Sequence, residues 1–115
     1  MVDPEPLTPA PAQPPVVTFP AEVDATNAQQ LRLRLDTALA IGAPIVVADM
    51  TATRFCDSMG LGVLVAAHKR AAATGAELRV AVTSEDILRV LGITKLDTVL
   101  HVYPSAEQAL AAGTE

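Results

Sequence analysis

Apolar and polar positions along this chain fall into blocks whose period switches between that of a strand and that of a helix. Val16-Val-Thr-Phe19 is a short β-branched run, and Asp24 then opens a stretch in which Ala28, Leu31, Leu35, Ala38 and Leu39 recur at helical spacing. Gly42 and Pro44 stop that helix. Ile45-Val-Val-Ala48 is continuously apolar over strand length, the pattern of a strand covered on both faces in a parallel or mixed sheet. A polar crossing from Thr51 to Ser58 leads into a second helical stripe at Leu61, Leu64, Val65, Ala71 and Ala72, which Gly75 ends. Leu78-Arg-Val-Ala-Val82 predicts another strand. Thr83 and Asp86 have the spacing of a capping box ahead of Ile87, Leu88 and Leu91, a short third helix closed by Gly92. Val99 to Tyr103 is the last strand, and Ser105 with Gln108 repeats the capping spacing before Ala109, Leu110 and Ala112.

The order β-α-β-α-β-α-β-α argues for one α/β sheet flanked by helices. A chain of 115 residues has room for one such core. That core is aliphatic, because half of the residues are hydrophobic while only 3% are aromatic and none is Trp. Seven of the nine prolines lie within the first twenty residues, so residues 1–15 read as an extended Pro-rich tail and residues 16–115 as the domain.

Charge and cysteine usage narrow the chemistry. The net charge is -5 and the eight Lys and Arg are scattered, which argues against direct nucleic-acid binding. Cys56 is the only cysteine and has no partner for a disulfide or a thiolate pair, which fits a reducing compartment. The apolar run Met59 to Ala67 is about half a membrane span and carries two glycines, and the amino terminus lacks the pattern of a secretory signal. The expectation is a cytoplasmic protein that does not engage a membrane.

The segment Phe55-Cys-Asp-Ser-Met-Gly-Leu-Gly62 carries the most information about function. Asp57 is a natural N-cap, which places Ser58 in the first helical turn with its hydroxyl outward and puts Gly60 and Gly62 where another backbone can approach closely. A helix amino end favours added negative charge, so a phosphate on Ser58, at about -1.5 to -2 charges, would be tolerated by the fold and felt by a partner. By spacing alone, a serine here reads as an ordinary cap or first-turn residue of a helix start, and local physics does not identify a switch.

Residues 16 to 112 resemble the STAS family, and most nearly its bacterial anti-sigma factor antagonists. The resemblance rests on Ala21-Glu-Val-Asp24, similar to the family's Gly-Glu-Leu/Ile-Asp turn; on Phe55 to Gly62, similar to its Phe-hydrophobic-Asp-Ser-Ser-Gly-Leu-Gly signature; and on Leu91-Gly-Ile-Thr-Lys-Leu-Asp97 with Tyr103-Pro-Ser105. It implies a single mixed β-sheet of about four to five strands packed against about four helices. It also implies that Ser58 is phosphorylated by an anti-sigma factor serine kinase that is both enzyme and partner, and that a serine phosphatase reverses the change. Asp24, Asp57, Ser58, Met59 and Gly60 would form the partner-binding surface. ATP, Mg²⁺ and the catalytic base would belong to the kinase, leaving this chain without cofactor, metal or catalytic residues.

Three positions depart from the family pattern: Met59 replaces the second hydroxyl residue, Ala21 replaces the turn glycine, and the Pro-rich start occupies the stretch of an additional first strand. Two other functions compete with a phosphorylation switch. One is a STAS scaffold or accessory subunit of a sensor or transport complex, with Ser58 unmodified. The other is a serine hydrolase, since Ser58, Asp97 and His101 occur in hydrolase order. Against the hydrolase stand Cys56 where a nucleophile elbow needs Gly, and the four-residue separation of Asp97 and His101. His68 and His101 lack neighbouring ligand residues in the sequence and read as packed or surface histidines.

Overall fold

A computed structural model describes residues 14–113. Along the chain run β1 (Val16–Thr18), β2 (Glu22–Val23), α1 (Ala28–Ala40), β3 (Ile45–Met50), β4 (Phe55–Cys56), α2 (Ser58–Ala73), β5 (Glu77–Val82), α3 (Glu85–Ile93), a 3₁₀ turn (Leu96–Thr98), β6 (His101–Tyr103) and α4 (Ala106–Ala111). Strands β1, β3, β5 and β6 form the main sheet in the order β1-β3-β5-β6, with every neighbouring pair parallel.

The continuous apolar run at Ile45 behaves as a strand covered on both faces. Val46, Ala48 and Met50 join Leu78, Val80 and Val82 of β5 beneath α1, α2 and α3, where Leu31, Leu35, Leu64, Ala67, Ile87 and Leu91 complete the core. Ile45 and Val47 point the other way, to Ala109 and Leu110 of α4 and Tyr103 of β6. The period of two thus divides β3 between a large aliphatic core and a small one.

The four helices and the four-stranded sheet agree with the expected architecture, and a second, two-stranded sheet of β2 and β4 is added to it. The polar crossing is therefore not a plain loop. The Arg54 and Phe55 amides both donate to the Ala21 carbonyl, at 2.7 and 3.2 Å, and the buried Thr53 hydroxyl donates to the Pro20 carbonyl at 2.8 Å. Pairings among the described residues are all parallel, so the antiparallel member of a mixed sheet is not among them. The expected tail, apart from Pro14 and Pro15, and the stretch of the additional first strand lie outside the described residues.

Local boundaries differ from the sequence reading for identifiable reasons. Asp24 does not open α1: its carboxylate is taken by the Thr26 amide and hydroxyl in a tight turn, and Asn27 stands at the N-cap position. Ser84, rather than Thr83, caps α3 by accepting from the Ile87 amide, while the Thr83 hydroxyl donates to the Thr51 carbonyl. Gly92 lies inside α3, which runs on to Ile93 before Lys95 adopts a left-handed φ of 65°. Ser105 caps α4 as its spacing suggested, accepting from the Gln108 amide at 3.0 Å.

Candidate functional site

Strands β2 and β4 pair in register Glu22↔Phe55 and Val23↔Cys56, so Asp24 and Asp57 emerge side by side where the two strands end. The chain leaves β4 at Asp57, whose extended backbone turns directly into α2. One oxygen of its carboxylate accepts from the Met59 amide at 2.9 Å and the Gly60 amide at 3.2 Å, satisfying two of the donors that a helix start leaves open. Ser58 is the first residue of α2 and is exposed.

Its neighbours on the surface are apolar. Met59 is 54% exposed and Phe55 is 52% exposed, although both are large hydrophobic side chains. The sequence offered no sign that Phe55 faces outward; its position in a two-residue strand, with Cys56 turned inward, accounts for it.

Gly60 lies underneath this surface. A Cβ built there would stand 2.5 Å from Cys56 Sγ and 2.6 Å from Val23 Cγ1, so the bare glycine lets α2 rest directly on the β2–β4 pair. As a buried residue it supports that surface from below. At Gly62 a Cβ would meet nothing within 4 Å, so no part of the fold packs against it there. The same packing half-buries Cys56, and burial first and the Asp57 charge second push its pKa up to about 11. It is thereby an unreactive thiol next to the site.

Asp24 is held by its Thr26 bonds, which also depress its carboxyl pKa below the ordinary 3.8. The turn that carries it leads into α1, which lies against α2 and is tied to it further along by the Asp36–Arg70 ion pair. Between the amino-terminal halves of the two helices runs a groove of about 280 Å³ lined by Ala25, Gln29 and Arg32 from the α1 side and by Ser58, Met59 and Gly62 from the α2 side, among others. Arg32 thus shares a wall-to-wall groove with Ser58, while Asp24 sits one residue before its rim.

The hydrolase residues are not brought together. His101 opens β6 and lies against His68, with ring centroids 6.1 Å apart and its Nδ1 3.6 Å from Glu77 Oε2. His68 is ten residues along α2 from Ser58, about 15 Å by helical rise. Among the described residues no group of three His, Cys, Asp or Glu is placed to hold a metal, and no helix is long and apolar enough to cross a membrane.

One buried charge went unread in the apolar strand Leu78–Val82. Arg79, 1% exposed, donates to the carbonyls of Ala109, Ala112 and Gly113 at 2.7 to 3.0 Å, pairs with Glu77 at 3.2 Å, and lies over the Tyr103 ring. It fastens the carboxyl end of α4 to the sheet, away from the groove.

The arrangement has known counterparts. A family model described as STAS domain matches residues 6–109. An anti-sigma factor antagonist from Mycobacterium paratuberculosis is similar in structure, with a TM-score of 0.74 and 26% identity over 82% of this chain and 80% of that one. The Bacillus cell fate determinant SpoIIAA matches in its unphosphorylated form, at TM-score 0.69 and 19% identity over 82% of each chain. Its phosphorylated form matches at TM-score 0.63 and 20% identity, over 82% of this chain and 85% of that one. The SpoIIAA likenesses are of fold alone, whereas the family model spans nearly the whole length, and on that ground the chain belongs to the STAS domain family.

Proposed function

We propose that this chain is an anti-sigma factor antagonist acting in the cytoplasm, and that phosphorylation of Ser58 by its anti-sigma factor kinase switches off their binding. The observation that carries the reading is an exposed serine in the first turn of a helix whose cap, Asp57, is already satisfied by two amides. The surface round it joins apolar Phe55 and Met59 to the acidic pair Asp24 and Asp57. A partner that covers it offers an apolar pocket for Phe55 and Met59, with an acidic group close to Ser58.

In the transfer step, the Ser58 Oγ attacks the γ-phosphorus of the kinase's ATP and its proton passes to a base on the kinase. The bond to the β-phosphate oxygen breaks, ADP leaves, and phosphoserine remains. Hydrolysis by a serine phosphatase restores the hydroxyl and releases inorganic phosphate. Added negative charge at the amino end of α2 is accommodated by the helix dipole, so the domain keeps its fold. Against a partner group of like charge at about 4 Å, the same phosphate costs about 1 to 4 kcal/mol, or tenfold and more in affinity.

Titration calorimetry with the kinase tests this. Wild type and Ser58→Ala should bind alike, while Ser58→Asp and the phosphorylated protein should bind at least about tenfold more weakly. Equal affinity of all four forms would remove the proposal.

A further inference from the structure

The groove between α1 and α2 contains one basic side chain, Arg32, and among the described residues Arg32 enters no ion pair. Both helices connect parallel strands of one sheet, so they run in the same direction, with their amino ends together. Helical side chains lean toward the amino end of their helix. Arg32, about one turn into α1, is therefore aimed back along the groove toward the level of Ser58. Gly62, one turn along α2 from Ser58, lines the same groove, and its missing side chain leaves that wall open, since a Cβ there would have no neighbour within 4 Å. Gln29, one turn nearer the rim, adds an amide donor.

We infer that Arg32 receives the phosphoryl group of Ser58 within the same chain, closing the groove by an internal ion pair. The inference rests on Ser58 being the acceptor and adds a second effect to the switch. Phosphorylation then both places charge on the docking surface and draws that charge into the groove, so a partner loses the groove as well as meeting the repulsion. A planar guanidinium suits the task, because it binds two phosphate oxygens at once.

A cation beside the phosphate favours its doubly charged form and lowers its second pKa. The other charged or titratable groups around it are Asp24 before α1, Asp57 at the cap, Glu22 and Cys56 on the strand pair, and Arg54 in the crossing. All of these stay the same when only residue 32 is changed. Phosphoserine is installed at position 58 during translation, and its ³¹P resonance is titrated in the otherwise wild-type protein, in Arg32→Gln and in Arg32→Lys. The midpoint in the Arg32 protein should lie at least about three-quarters of a unit below that of Arg32→Gln, about sixfold in proton affinity, as a unit charge in contact at about 4 Å requires even in water-like surroundings. Arg32→Lys should keep most of the difference. Coincident midpoints for Arg32 and Arg32→Gln would overturn the inference. Because no kinase takes part, this result is separate from whether a kinase modifies Ser58, which a phosphorylation assay decides on its own.

Discussion

The amide of Asp57 donates to the carbonyl of Val23 at 3.1 Å, joining the residue before the candidate acceptor serine to the residue before Asp24. Two stretches 34 positions apart in the chain are thereby held as one surface, and the start of α2 is fixed from behind by β2 while it faces outward at Ser58. The rigidity of this mount gives the site its geometry: a hydroxyl presented at one place, with its surroundings set by backbone hydrogen bonds.

The mount depends on Gly60, and the effect can be separated from helix propensity. Gly60→Ala drives a methyl group into Cys56 and Val23, and should cost about 1 to 3 kcal/mol in urea unfolding. Gly62→Ala, in the same helix but with open space before it, should be neutral or stabilising by up to about 1 kcal/mol. Equal responses would mean that α2 does not rest on the strand pair.

Arg79 holds α4 through three carbonyls and is almost wholly buried. Arg79→Met leaves those acceptors unpaired and should lower stability by about 2 to 4 kcal/mol. Hydrogen exchange should show the amides of Ala109 and Ala112 losing protection first. Unchanged exchange in α4 would contradict the anchoring role.

Cys56 provides a pH test. With its pKa raised from 9.0 to about 11, the folded thiol at pH 8 should react with iodoacetamide about a hundredfold more slowly than in urea. The sign for stability follows: below pH 9 the thiol is neutral in both states, and between pH 9 and 11 only the unfolded chain ionises. Stability should therefore fall across that window, and Cys56→Ala should flatten the fall. Equal alkylation rates in folded and unfolded protein would show the thiol to be open to solvent.

Phe55 and Met59 are exposed at no benefit to the core. Substituting either by Ala should change stability by less than about 0.5 kcal/mol. In calorimetry with the kinase, Phe55→Ala should weaken binding by about tenfold, a loss of about 1.4 kcal/mol. A destabilised protein, or full affinity, would show that the exposed ring is not a docking anchor.

Much of the fold was legible because the relevant signals are local. The apolar run at Ile45, the glycines with positive φ at Gly42 and Gly75, and the Ser105 cap each depend on residues within a few positions. At the site, Asp57 and Ser58 could be read for the same reason. The β2–β4 pair could not, since two strands of two residues carry no period and are joined by contacts across the fold. Arg79 was hidden likewise: the carbonyls it binds lie 30 or more residues away, at and just beyond the end of α4, and within β5 it looks like an interruption of an apolar strand. The groove joining Arg32 to Ser58 depends on how α1 packs against α2, which hydrophobic spacing indicates only in outline.

The central claim is that Ser58 accepts a phosphoryl group. Incubation with the cognate anti-sigma factor kinase and ATP, followed by intact and tandem mass spectrometry, tests it most directly. The expected result is one added phosphate located on Ser58 and none on Ser58→Ala; a phosphate on another residue, or an unmodified wild-type chain beside a kinase that binds it, would contradict the account.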